Sequence, residues 1–156
     1  MTIDELQDLI LKFASHNMNF LGAVVRPLNS YNVKNHFDPK NQSDYQKSGL
    51  YAYFADSDRE VLYVGIAQDF GSRLYQHMQK NMGDWTTYVD GVLFPKSDLL
   101  RRSLSDSQQK SIQNGSFSVQ YFEVEPYNYA ALFEVFVIIK ANPACNIQHA
   151  DTLHFR

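Results

Sequence analysis

The chain has 156 residues, which suits one domain with one sizeable core. Hydrophobic residues make up 44 % and aromatics 14 %, with eleven Phe and ten Tyr, a globular composition richer in rings than most. A formal net charge of −3 and a pI near 5.9 argue against a basic protein that coats nucleic acid nonspecifically, although a local patch or a bound cation can override that mean.

Cys145 is the only cysteine, so neither an intramolecular disulfide nor a Cys-rich zinc site can form within the chain. The N-terminus, "MTIDELQDLI", is acidic and has no long apolar run. We expect neither a signal peptide nor a membrane span, and a cytoplasmic location is the default.

Ile3, Leu6, Ile10 and Phe13 recur at helical spacing, Leu9 widens the stripe, and Thr2 with Glu5 forms a capping box, which predicts a helix over 3–17. The polar, Asn-rich stretch 29–48, broken by Pro39, reads as a long loop. Two β-rich runs, 49–54 and 61–66, flank "ADSDRE" and read as a hairpin. Asp69 opens a helix to about Lys80, and "GDW" at 83–85 ends that region. Residues 86–94 read as a short strand or an irregular segment. Ser97 caps a polar helix over 97–113 that stops at Asn114-Gly115. Phe117, Val119 and Tyr121 alternate with polar positions in 116–125, a further strand ended by Pro126. Residues 127–141 form a very apolar helix that stops before Pro143, and there is no internal repeat or linker.

Side chains alternate along a strand, so Tyr51 and Tyr53 share one face, as do Val61, Tyr63 and Gly65, with Leu62 and Val64 on the other. A three-residue loop at 56–58 would set Tyr51 directly opposite Tyr63, with Gly65 leaving open space beside them. Taken alone, such a pair is most often ordinary half-buried packing. Arg73 and His77 lie four apart on one helix face, near the hairpin's end. Arg is suited to gripping a phosphate and His to moving a proton near neutral pH. Glu134 has Ala130, Ala131, Val137 and Ile138 as helical neighbours. A carboxylate there either reaches water or is buried with a partner; a hydrated Mg²⁺ and a salt bridge to an arginine fit equally well. Asn146 follows the helix in "NPACN", where Asn is also ordinary turn chemistry.

Gly49-Leu50-Tyr51, Tyr63-Val64-Gly65, Arg73 with His77, Glu134 and Asn146, in that order and spacing, resemble the GIY-YIG nuclease domain over roughly residues 48–147. Leu50 and Val64 stand where that family usually has isoleucines. The resemblance implies an α/β (α+β) fold, a small and mainly antiparallel three-stranded sheet flanked by helices, with strands at 49–54, 61–66 and 116–124. Residues 1–48 are then an N-terminal helix and loop extension, 49–147 the nuclease-like part with an insertion at 81–115, and 148–156 a tail, all in one compact domain.

The function so implied is a metal-dependent endonuclease that hydrolyses phosphodiester bonds in DNA, with RNA open as a substrate. Carried over by position, Glu134 holds one divalent metal, Mg²⁺ with Mn²⁺ as a substitute, which stabilises the departing 3′ oxygen. Arg73 binds the scissile phosphate, Tyr51 activates or orients the attacking water, Tyr63 and His77 support proton transfer, and Asn146 fixes the site's geometry. A free Tyr ionises near about 10, so either positive charge from Arg73 and the metal lowers Tyr51 or His77 takes the proton through it. Lys96, Arg101, Arg102 and Lys110 form a phosphate-tracking face or a solubilising helix diluted by Asp98 and Asp106. A homodimer, an accessory subunit or an immunity protein are the partners the reading leaves open, with no membrane. Two other readings stand beside the nuclease: a nucleic-acid or protein-binding module without turnover, and a metal-free phosphate-binding protein with Glu134 paired to Arg73.

Overall fold

The computed structural model describes residues 1–17, 22–33, 44, 46–73, 104–143 and 146. Helix α1 (Ile3–Asn17) forms where the apolar spacing places it. The capping box is reciprocal: the Glu5 N–H donates to Thr2 Oγ1 (3.3 Å), and the Thr2 N–H donates to Glu5 Oε2 (2.9 Å). Ile3, Leu6 and Ile10 are buried against the sheet.

That sheet has four antiparallel strands, β1 (Val24–Asn32), β2 (Gly49–Ala55), β3 (Val61–Ala67) and β4 (Phe117–Glu125), in the order β1-β4-β2-β3. The fold is therefore α+β, with one strand more than the resemblance implied. The added strand, β1, takes in residues 29–32, which polarity alone marks as loop. It is an edge strand with Pro27 beside a register break between Pro27 and Ser30, so it shows no clean alternation of apolar and polar residues.

One face of the sheet carries the phenols: Tyr51, Tyr53 and Tyr121 pack with Phe117, Phe70 and Ile112. The other face carries Leu50, Ala52, Val64 and Phe122 beneath α1 and helix α3 (Ala130–Ala141). Phe13 of α1 stacks on Phe136 of α3 with ring centres 4.2 Å apart and meets Phe133 edge-on at 5.2 Å. Phe133 is fully buried, which contributes about 1.5–3 kcal/mol, and the half-buried Phe13 and Phe136 extend that contact between α1 and α3.

The hairpin register corrects the expected pairing. Tyr51 faces Gly65, and Tyr63 faces Tyr53. Two displacements cause this. The turn closes through the Ala55 N–H to the Glu60 carbonyl, with Arg59 at φ 60, so four residues rather than three form the loop. The register then shifts again between Tyr53 and Phe54, leaving Leu62 as a bulged residue. The bulge puts Leu62 in the phenol-face cluster and Val61 with Val64 in the other, the reverse of a simple alternation.

Helix α2 (Asp106–Gln113) starts later than Ser97: its N-cap is Ser105, in a capping box with Gln108, and Leu104 and Ser105 are not helical. It ends at Asn114-Gly115 as expected. After Pro126 a 3₁₀ turn (Tyr127–Tyr129) leads into α3, which stops where Asn142 turns left-handed at φ 44. Residues 70–73 are helical, whereas 74–80, 86–94, 97–103 and the tail lie outside the described residues. Among the described residues no helix is long and apolar enough to cross a membrane.

Candidate active site

Gly65 and Tyr51 are built for each other. A Cβ placed on Gly65 would lie 2.5 Å from the Tyr51 hydroxyl oxygen and 2.6 Å from its Cζ. The space left by the glycine is thus taken by the phenol of the facing strand, whose hydroxyl points onto edge strand β3. Tyr51 is 2 % exposed. Its ring meets Tyr53 edge-on at 5.8 Å and lies 6.2 Å from Tyr63, which is only half-buried. Gly49 has a different duty: at φ 147 it lets β4 approach so closely that a Cβ would collide with the backbone of Phe122 and Val124.

Asn146 comes to the free edge of β3. Its Nδ2 donates to the Val64 carbonyl (2.7 Å), and its Oδ1 accepts the Val64 N–H (2.8 Å). A side chain 3 % exposed therefore stands in for a further strand, and it grips the residue between Tyr63 and Gly65.

Arg73 lies in the helical segment that follows β3, described over residues 70–73. The Ser72 N–H donates to Asp69 Oδ1 (2.7 Å) at the start of that segment, and Phe70 stacks on Tyr121 at 4.7 Å and 20°, docking it over the phenol face. Arg73 is exposed and has no ion-pair partner among the described residues. Glu134 lies on α3, which packs against β3 and β2, with Phe133 and Val137 turned into the core. Glu134 is half-buried rather than enclosed. His77, Lys96, Arg101 and Arg102 lie outside the described residues.

Lys110 is exposed on α2 at the hairpin-turn end, where with Ser107, Ser111, Asn114, Ser116 and Asp56-Ser57 it lines a polar cleft of about 590 Å³. The Asp56 carboxylate in that cleft accepts from Ser118 Oγ (2.5 Å) and Asn32 Nδ2 (2.7 Å).

A buried acid beside Gly49 escaped the sequence reading. Glu123 is 4 % exposed at its side chain, and Oε2 accepts from Arg26 Nε (2.5 Å) with Lys47 Nζ at 3.9 Å. That hydrogen bond, and then its charge, hold the Arg26 guanidinium above its ordinary value. The signal was present: Glu123 continues the series Phe117, Val119, Tyr121 on the inward face of β4, where a carboxylate demands a cation.

Among the described residues no group of three or more His, Cys, Asp or Glu is placed to hold a metal. A hydrated divalent ion bound through one carboxylate needs no such group, and half-buried Glu134 suits it. A family model described as the GIY-YIG catalytic domain matches residues 47–146. No curated protein matches the chain.

Proposed function

The chain belongs to the GIY-YIG catalytic-domain family, whose members are endonucleases, and from that premise we propose that it is a metal-dependent endonuclease hydrolysing phosphodiester bonds in DNA. The observation that carries this reading is the seat of Tyr51 against Gly65, beside Tyr63 and on the strand that Asn146 grips.

In this reading the Arg73 guanidinium, exposed and without an ion-pair partner among the described residues, takes the scissile phosphate through its forked N–H groups. The oxygen of a water held at the Tyr51 hydroxyl attacks phosphorus as the bond to the 3′ oxygen breaks. The water's proton passes to Tyr51 in its phenolate form, or through the Tyr51 hydroxyl to His77. Burial opposes ionisation of a phenol, so the first route needs the charge of Arg73 nearby. Tyr63 orients the Tyr51 ring, and Asn146 fixes β3 beneath both. Glu134 would hold the divalent ion, Mg²⁺ with Mn²⁺ as a substitute, whose chemistry there is to stabilise the 3′ oxygen as it departs.

The deciding experiment incubates the protein with supercoiled plasmid, single-stranded DNA and RNA, with Mg²⁺, with Mn²⁺ and with chelator. A metal-dependent nick in DNA supports the endonuclease. The burial of Tyr51 favours the competing reading, a binding module without turnover, and binding with no nick under either ion would decide for it.

A further inference from the structure

The Glu123 cluster lies on the same sheet face as Tyr51, because Arg26 pairs with Glu123, Gly49 pairs with Glu123, and Tyr51 is two residues beyond Gly49. With strands about 4.8 Å apart and a rise of about 3.4 Å per residue, the Arg26 and Tyr51 backbones are separated by about 12 Å. The Phe70 N–H donates to the Lys47 carbonyl (3.0 Å), which ties Lys47 to the helical segment that carries Arg73.

We infer that Arg26 and Lys47, held by Glu123, form an anchor for a backbone phosphate of the polynucleotide on one flank of the scissile bond. This rests on the nuclease reading and deepens it: the N-terminal strand β1, outside the matched residues 47–146, becomes part of the substrate platform. Arg26 uses only Nε on Glu123, and its two terminal nitrogens have no partner among the described residues. It is 57 % exposed, and Lys47, whose ammonium is too far from Glu123 for a hydrogen bond, is 36 % exposed. A buried carboxylate on one edge of a guanidinium fixes its plane and leaves the other edge set for a phosphate oxygen pair. Glu125, an exposed acid on the same strand, also acts on Arg26. The anchor therefore works through directed donors rather than through a broad positive field, in keeping with the acidic average of the chain.

The test is equilibrium binding of fluorescein-labelled duplex and single-stranded DNA to the full chain, without divalent cation, over about 50–200 mM salt. R26Q and K47Q should each weaken binding and flatten the plot of log K against log salt, by about 0.9 for duplex or about 0.7 for single strands. K12Q, an exposed charge on α1 across the sheet, should leave the slope unchanged. If R26Q loses its cooperative thermal unfolding, K47Q carries the test, since its ammonium makes no hydrogen bond to the buried acid. Wild-type slopes in the folded variants overturn the anchor and leave the nuclease reading standing. Failure of the wild type to bind either DNA also overturns the anchor, while the nicking assay with Mg²⁺ or Mn²⁺ decides the nuclease reading separately.

Discussion

Asn146 completes the edge of the sheet at Val64, meeting both the N–H and the carbonyl of one residue with the two ends of its amide. The pairing needs a donor and an acceptor at fixed separation, which the neutral amide of Asn supplies. N146A leaves two buried backbone groups unmet and should lower stability by roughly 2–4 kcal/mol, read by urea denaturation. N146D keeps the acceptor and loses the donor, and should be destabilised as well. Wild-type unfolding curves for both would show that the clamp contributes nothing.

The Tyr51–Gly65 contact gives a second prediction. G65A puts a methyl 2.5 Å from the phenol oxygen, so the ring must leave its seat. The overpacking should cost about 1–3 kcal/mol, and DNA cleavage should fall far more than stability does. Because part of the clash is with the hydroxyl, Y51F in the G65A background should recover some stability and no cleavage. Thermal melts and a plasmid-nicking assay on the two variants check this, and full cleavage by G65A would mean that Tyr51's position is immaterial.

Much of this arrangement was legible in the residues, and the parts that were not have a common cause. Helix α1, the three strands of the sheet's centre and far edge, and the stop of α3 follow from apolar spacing, caps and breakers, which act within a few residues. The phenol face was readable because tyrosines at 51, 53 and 63 keep their period on either side of the turn. The pairing of Tyr51 with Gly65 was not, since it depends on one added loop residue and one bulge, each set by backbone geometry rather than by residue type. Strand β1 was hidden because an edge strand with a proline owes its existence to β4. The partner of Glu123 was hidden with it, since Arg26 sits on that strand.

A surface pair offers a pH prediction. Arg59 hydrogen-bonds Asp4 through Nε (2.9 Å) and Nη2 (3.0 Å), and that bond holds the Asp4 carboxyl below its ordinary 3.8. A carboxyl depressed in the folded state adds stability above its unfolded value, and that stability is lost as pH falls through the folded value. The melting temperature of D4N should therefore lie slightly below wild type near pH 7 and converge with it at pH values below about 3.9. The gap should shrink in high salt, as for any exposed pair. An equal gap at pH 7 and in strong acid would remove the ion pair as its source.

For the metal, E134Q keeps the size of the side chain and removes its charge. Glu134 is half-buried, so the fold should survive, while Mg²⁺- and Mn²⁺-dependent cleavage is lost. Binding of labelled DNA without metal should persist. Undiminished cleavage by E134Q would place the ion on a different acid.

Tyr51→Phe removes a single oxygen from a ring that is otherwise packed against Tyr53 and Tyr63, so the core contacts remain. A phenol that only packs would show a small stability change and normal cleavage. A phenol that orients or deprotonates the attacking water should instead show cleavage lower by about 10²–10⁴-fold, with DNA affinity unchanged. The pH–rate profile separates the two proton routes. If the phenolate is the base, the rise of rate with pH through its ionisation disappears with the hydroxyl in whatever residual activity Y51F keeps. If the hydroxyl only relays a proton to His77, the residual activity keeps an ionisation near about 6.5, the ordinary range of imidazole. Normal turnover in Y51F would reject both routes, and with them the role assigned to the phenol that Gly65 seats.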